Sequence, residues 1–186
     1  MTGRRQLAVT LGVLAVIVAL LFAGKRILGN EIAPLGVGAE APNFTAQTLD
    51  PTPVQRSLEQ YRGDVIMINI WATWCLPCRV EMPSIEKLHQ SLGPKGLRVI
   101  AVSVDDPGTE TQIKNFVKQY GLTFEILHDP KGQDGEVSRL YETTGYPETV
   151  IIGRDGLIRK RLIGATDWNS PENRGLVERL LAEKAG

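Results

Sequence analysis

Two cysteines, Cys75 and Cys78, stand three residues apart between an unbroken apolar run, Val65 to Trp71, and a stretch of helical apolar period, Val80 to Leu92. No other feature constrains the chain as much. A strand covered on both faces must deliver its end to the first turn of a helix, and the dithiol opens that helix. There the unpaired backbone N–H groups and the positive dipole end stabilise a thiolate, and thiols so placed have pKa values of about 3.5 to 7.5. Cys75 therefore reads as the nucleophile, and Cys78, one turn on, is close enough to resolve a mixed disulfide. Pro77 suits a first turn, where its missing N–H would have had no partner. The two are the only cysteines, which excludes a disulfide-dense scaffold and a four-cysteine zinc site. A structural disulfide across so short a loop would stabilise little. A metal site would need more ligands, and the chain offers only His89 and His128. His89 lies about four turns along the same helix, and His128 precedes the turn residues Asp129 and Pro130, so both read as solvated. The expected chemistry is dithiol exchange, with no metal and no cofactor beyond a redox-active Cys75–Cys78 disulfide.

Lysine plus arginine and aspartate plus glutamate both number 21, which removes the electrostatic argument for nucleic-acid binding. The apolar residues are locally concentrated. Leu7 to Ala23 are seventeen residues without a charge, about 25 Å as a helix, which is longer than the core of a cleavable signal. Leu21 sits where a cleavage site wants a small residue, and no neighbouring cysteine is there to take lipid. The expectation is an uncleaved transmembrane anchor over residues 1–24, followed by a linker over 25–40 with three glycines and one proline. Arg4 and Arg5 before the span favour a cytoplasmic N-terminus, with the rest of the chain on the extracytoplasmic side of the cytoplasmic membrane. Gly36 to Ala41 imitate a dinucleotide fingerprint, but no strand precedes them and Pro42 follows.

From residue 41 to 186 apolar and β-branched runs alternate with helical patterns. Leu97 to Val104 and Thr149 to Gly153 read as strands covered on both faces, and Leu157 to Ile163 as an edge strand. Arg154-Asp155-Gly156 has turn chemistry, giving an antiparallel hairpin. Thr111 to Gly121 spaces Ile113, Phe116, Val117 and Tyr120 as one helix face and ends on a glycine cap. Ser170 and Pro171 open a last helix with the stripe Leu176, Val177, Leu180 and Leu181. Strands interleaved with crossover helices make an α/β domain.

The stretch Asn69 to Pro83 (NIWATWCLPCRVEMP) resembles the active-site segment of the membrane-anchored thioredoxin-like proteins typified by TlpA, ResA and CcmG (DsbE). The likeness runs from Ala41 to about Ala185. Pro83 matches the proline that kinks the family's active-site helix, and Asn69 stands where thioredoxin has a buried aspartate. Gly145-Tyr146-Pro147-Glu148-Thr149 is similar to the loop that carries the family's cis-proline, which makes Pro147 the position expected to be cis. The resemblance implies a thioredoxin-like fold, a central mixed sheet flanked by helices, after one N-terminal transmembrane helix. It implies partner docking by Trp74, Tyr146, Pro147 and Glu148, and an acid-base role for Glu81 beside Cys75 and Cys78. Repulsion from a nearby thiolate would raise the pKa of Glu81, and Glu81→Gln, breaking no ion pair, should change stability little. The activity implied is protein-disulfide reduction, with apocytochrome c as substrate in cytochrome c maturation and a transmembrane thiol donor of the DsbD or CcdA type. A copper-delivery protein on the same fold is the alternative, and a peroxidase is disfavoured by the C-x-x-C pair at a helix start.

Overall fold

The computed structural model describes residues 3, 6, 11–20 and 35–183. The chain divides into two units, with the boundary after Pro34. In the first, residues 11–20 are helical, and large apolar side chains from Leu11 to Leu20 are exposed. The remainder of the expected apolar span, residues 7–10 and 21–23, lies outside the described residues. Among those described, no helix is long and apolar enough to cross a membrane.

The second unit is built on one sheet. Its strands are β1 (Thr45–Thr48), β2 (Gln55–Ser57), β3 (Val65–Trp71), β4 (Leu97–Ser103), β5 (Glu125–His128), β6 (Glu148–Ile152) and β7 (Ile158–Ile163). Its α-helices are α1 (Leu76–Leu92), α2 (Glu110–Tyr120), α3 (Glu136–Leu140) and α4 (Pro171–Ala182). The strand order is β2-β1-β5-β4-β3-β6-β7. Strands β3, β4 and β5 run parallel, and β1, β2, β6 and β7 pair antiparallel with their neighbours. This is the expected mixed α/β sheet. Every residue of β3 is buried, so both pleat faces are covered and the sequence there is a continuous apolar run. At the edge, β7 carries Arg159, Lys160 and Arg161 in a partly exposed pattern that discourages pairing with another chain.

The helix signals act as capping chemistry requires. Gly121 ends α2 with φ 62°, a left-handed conformation that glycine adopts without strain, while Ile113 and Phe116 enter the core. Ser170 caps α4 by accepting from the Asn173 N–H, Pro171 follows, and Val177 and Leu180 are buried. The β6–β7 hairpin closes through Gly153 N–H to Leu157 O at 2.9 Å.

Three features depart from the sequence reading. Strands β1, β2 and β5 and helix α3 were not anticipated, because each is three to five residues long and too mixed in polarity to show a period. Residues 35–40, taken as part of the linker, lie along the sheet: Gly38 N–H donates to Ile158 O at 2.8 Å, Ile158 N–H to Ala39 O at 2.9 Å, and Arg161 to Leu35 O at 2.6 Å. His128 is buried, because it ends β5 in register with Ser103 on the neighbouring strand. Its Nε2 lies 2.9 Å from Asp105 O and its Nδ1 3.5 Å from Glu110. His89 is half-buried, edge-on to the Phe124 ring.

Candidate active site

Strand β3 ends at Trp71, and the chain turns through Ala72, Thr73 and Trp74 to reach Cys75, the N-cap of α1. Cys75 and Cys78 are joined as a disulfide, and Cys75 Sγ accepts the Cys78 N–H at 3.2 Å. That bond is one of the orphan donors of the helix start satisfied by sulfur, and it favours negative charge on Cys75 once the pair is reduced. Cys75 is 4% exposed and Cys78 0%, so the outer sulfur is the one an incoming disulfide can reach.

The turn before the cysteines is clamped from two sides. Asp105, buried just past β4, accepts the Thr73 N–H at 2.9 Å and the Thr73 hydroxyl at 2.6 Å, and also the Ser103 hydroxyl at 2.6 Å. The Arg79 guanidinium, back from the first turn of α1, donates twice to Thr73 O, at 2.9 and 2.7 Å. Sequence reasoning missed both residues. Asp105 had a usable signal, since sites on parallel strands gather at their carboxyl ends.

Around the sulfurs the surface is apolar. Trp74 is half exposed and meets Tyr146 edge-on at 5.9 Å, and Leu76, Val80 and Ile163 are open to solvent. The Tyr146–Pro147 peptide is cis, Tyr146 Oη lies 3.0 Å from Ser138 Oγ, and Gly164 N–H donates to Pro147 O at 2.7 Å. The structure thus brings Trp74, Tyr146 and the dithiol together. It does not bring Glu148 to that surface. As the first residue of β6, Glu148 is flanked by β3 and β7 and is 0% exposed. Its carboxylate is paired with Arg161, and Oε2 is left without a partner.

Glu81 lies beneath the dithiol turn, 1% exposed. Its Oε1 accepts Asn69 Nδ2–H at 2.6 Å, and its Oε2 accepts Trp168 Nε1–H at 3.2 Å and Thr166 N–H at 3.4 Å. Asn69 also donates to Thr149 Oγ1 at 2.8 Å. Burial pushes the Glu81 carboxyl up from 4.5 to about 7, against the three hydrogen bonds, which pull it down. In this disulfide form desolvation, and not a thiolate's charge, raises it. Trp168 was not legible as a neighbour of Glu81, nor Thr149 as a neighbour of Asn69. Among the described residues no group of three His, Cys, Asp or Glu side chains is placed to hold a metal ion.

A family model for the AhpC/TSA family matches residues 37–161. Among curated relatives, the thiol-disulfide oxidoreductase ResA of Oceanobacillus iheyensis is 35% identical over 156 residues, covering 82% of this chain and 78% of that protein. ResA of Bacillus anthracis is 36% identical over 128 residues, 69% of this chain and 70% of the relative. Among solved structures, a putative thiol:disulfide interchange protein DsbE from Chlorobium tepidum superposes with a TM-score of 0.64 at 27% identity, covering 80% of this chain and 96% of that one. A putative thioredoxin from Neisseria meningitidis gives 0.62 at 29% identity, covering 77% and 91%.

Proposed function

The chain belongs to the AhpC/TSA family, with a thioredoxin-like fold, and from that premise we propose that it is a thiol:disulfide oxidoreductase working as a reductant of other proteins' disulfides outside the cytoplasmic membrane. One observation carries the activity: a dithiol at a helix N-terminus with Cys75 as the reachable sulfur and Cys78 enclosed one turn behind it.

In the reduced protein the Cys75 thiolate attacks one sulfur of the partner's disulfide. The Cys75–partner bond forms, the partner's S–S bond breaks, and the expelled partner thiolate takes a proton. Cys78 then loses its proton and attacks Cys75 Sγ, which restores the Cys75–Cys78 bond and releases the second partner sulfur as a thiol. Two electrons have passed to the partner. Glu81, poised near neutrality, is the group that accepts the proton of Cys78 and returns it when the pair is reduced again. Trp74 and Tyr146 form the docking surface, and the buried cis Pro147 holds the loop that presents Tyr146.

The chain has no flavin or nicotinamide motif, so in an oxidising compartment its dithiol is recharged by a transmembrane thiol donor of the DsbD or CcdA type. The substrate class follows the family resemblance: the haem-binding cysteine pair of apocytochrome c, which must be reduced before haem attachment. The apolar span over residues 7–23 holds the protein in the membrane as a single-pass anchor.

Equilibrating the full-length protein with glutathione buffers of known poise tests the direction of electron flow. A potential near or below the ~ −270 mV of thioredoxin is expected, and one near the ~ −120 mV of DsbA would make the protein an oxidant. Cell fractionation tests the anchor: the protein should stay with membranes through a high-salt wash and leave them in detergent. Recovery of a soluble form beginning near residue 24 would overturn it.

A further inference from the structure

The loop between β7 and α4 is separated from Glu81 by more than eighty residues of sequence, yet it grips the turn of α1 that carries this glutamate. Trp168 is fully buried, and its indole N–H donates to Glu81 Oε2 at 3.2 Å. The Trp168 backbone N–H donates to Ser84 Oγ at 3.0 Å, and Ser84 Oγ–H donates in turn to Glu81 O at 2.7 Å. Thr166 N–H completes the grip on Oε2 at 3.4 Å. A tryptophan serving only to fill the core has no need to spend its N–H on a carboxylate, since any buried carbonyl would satisfy it.

We propose that Trp168 is a positioning residue for Glu81, fixing its carboxylate against the base of the active-site helix and thereby setting how readily it exchanges a proton. The inference rests on the reading of Glu81 as the proton carrier of the exchange. Every bond that reaches this carboxylate comes from a donor: Asn69 of β3, Thr166, and Trp168. A carboxylate can accept all three, whereas a protonated carboxyl must place its own hydrogen among them, so each donor favours the ionised form. Desolvation favours the protonated form and is the larger effect. Proton exchange near neutrality is the residue of this opposition, and losing one donor tips it towards the acid.

Several packed elements each bring a group to the site. On α1 it is Cys78, one turn back and held in the disulfide. Strands β3 and β6 contribute the neutral Asn69 and Thr149. On β7, Lys160 Nζ lies 5.6 Å from the centroid of the Trp168 ring and donates to Asn173 Oδ1 at 2.7 Å. A cation over the indole face draws electron density from the ring and makes its N–H a stronger donor, which acts in the same sense as Trp168 itself.

The test is a carbon NMR titration of the Glu81 carboxyl in the full-length oxidised protein, where no thiol titrates, with the resonance assigned by its loss in Glu81→Gln. Replacing Trp168 by benzothienylalanine keeps the shape and removes only the N–H. The midpoint is expected to rise by about one pH unit, the worth of one hydrogen bond to a charged acceptor. Trp168→Phe should move it the same way. A midpoint unchanged in the benzothienylalanine protein overturns the proposal, whatever happens to thermal stability. In the reduced protein the same replacement should shift the pH profile of disulfide exchange when Glu81 is present and leave it unmoved in the Glu81→Gln background. An equal shift in both backgrounds would overturn the proposal, because Trp168 would then be acting through something else. An exchange rate and pH profile unaffected by Glu81→Gln would instead remove Glu81 from the exchange chemistry, and the titration midpoint, read without any thiol, would still decide the role of Trp168.

Discussion

Cells carrying the Cys78→Ser protein accumulate covalent adducts between Cys75 and partner proteins, while cells carrying Cys75→Ser accumulate none and the purified Cys75→Ser protein reduces no disulfide. The asymmetry follows from burial and from the direction of the helix. Cys75 is the N-cap and has the only measurable exposure of the pair, 4% against 0%. Its sulfur receives the Cys78 backbone N–H at 3.2 Å, and that donor survives when the Cys78 side chain becomes serine, so the Cys75 thiolate remains stabilised and reactive. What is lost is the second sulfur held within reach. Resolution then has to come from a thiol in solution, and the advantage of an intramolecular nucleophile, which reaches ~10⁵ M or more in effective concentration, disappears. Mixed disulfides should outlast isolation and be read on non-reducing gels as bands that collapse to the monomer on adding a reductant. Adducts on Cys75→Ser and none on Cys78→Ser would reverse the roles of the two cysteines. A protein that moved copper instead would show no such dependence on which cysteine was replaced.

What the sequence made legible was the part of the fold whose burial is uniform. Strand β3 could be read to its ends because both of its faces are covered, and the dithiol helix because its start and its apolar period coincide. The cis peptide at Pro147 was readable only through the family resemblance of the loop that precedes β6. Illegible features have a common cause, which is that they depend on which distant segment packs alongside. His128 looks like a turn-flanking surface residue until β5 is placed beside β4, where its ring is buried against Asp105. Glu148 looks like a polar residue next to a docking loop, but β3 and β7 enclose it and Arg161 neutralises it from within. Trp168 has no local pattern that points to Glu81. Residues 35–40 read as a tether because the stretch around them holds several glycines and shows no helix or strand period, yet Gly38, at φ 91°, allows the turn that lays them along β7. Short-range chemistry placed the cysteines, and long-range packing decides the environment of their acid-base partner.

That environment makes the oxidised protein's stability fall as pH rises through the neutral range, by an amount that Glu81→Gln removes. From the sequence this substitution should change stability little, because no ion pair is broken. The structure replaces that expectation: the carboxyl is buried, accepts three hydrogen bonds, and titrates at about 7 in place of an ordinary 4.5. A group whose folded value is raised binds its proton more tightly in the native state. Its favourable contribution is therefore complete below the unfolded value, near pH 4.5, and is lost as pH rises through about 7. Across that window the native state carries more protons than the unfolded chain, so stability declines with pH. The total is on the order of 3 kcal/mol for a buried carboxyl shifted this far. The rest of the chain adds its own pH dependence, so the informative quantity is the difference between the wild-type and Glu81→Gln proteins. Denaturant unfolding of both oxidised proteins, at intervals from about pH 4.5 to 8.5, should show that difference moving by roughly 3 kcal/mol in favour of glutamine as pH rises. Two stability curves that stay parallel across the window would mean that Glu81 titrates alike in the folded and unfolded chains. The buried carboxylate would then have no elevated proton affinity to lend to the dithiol.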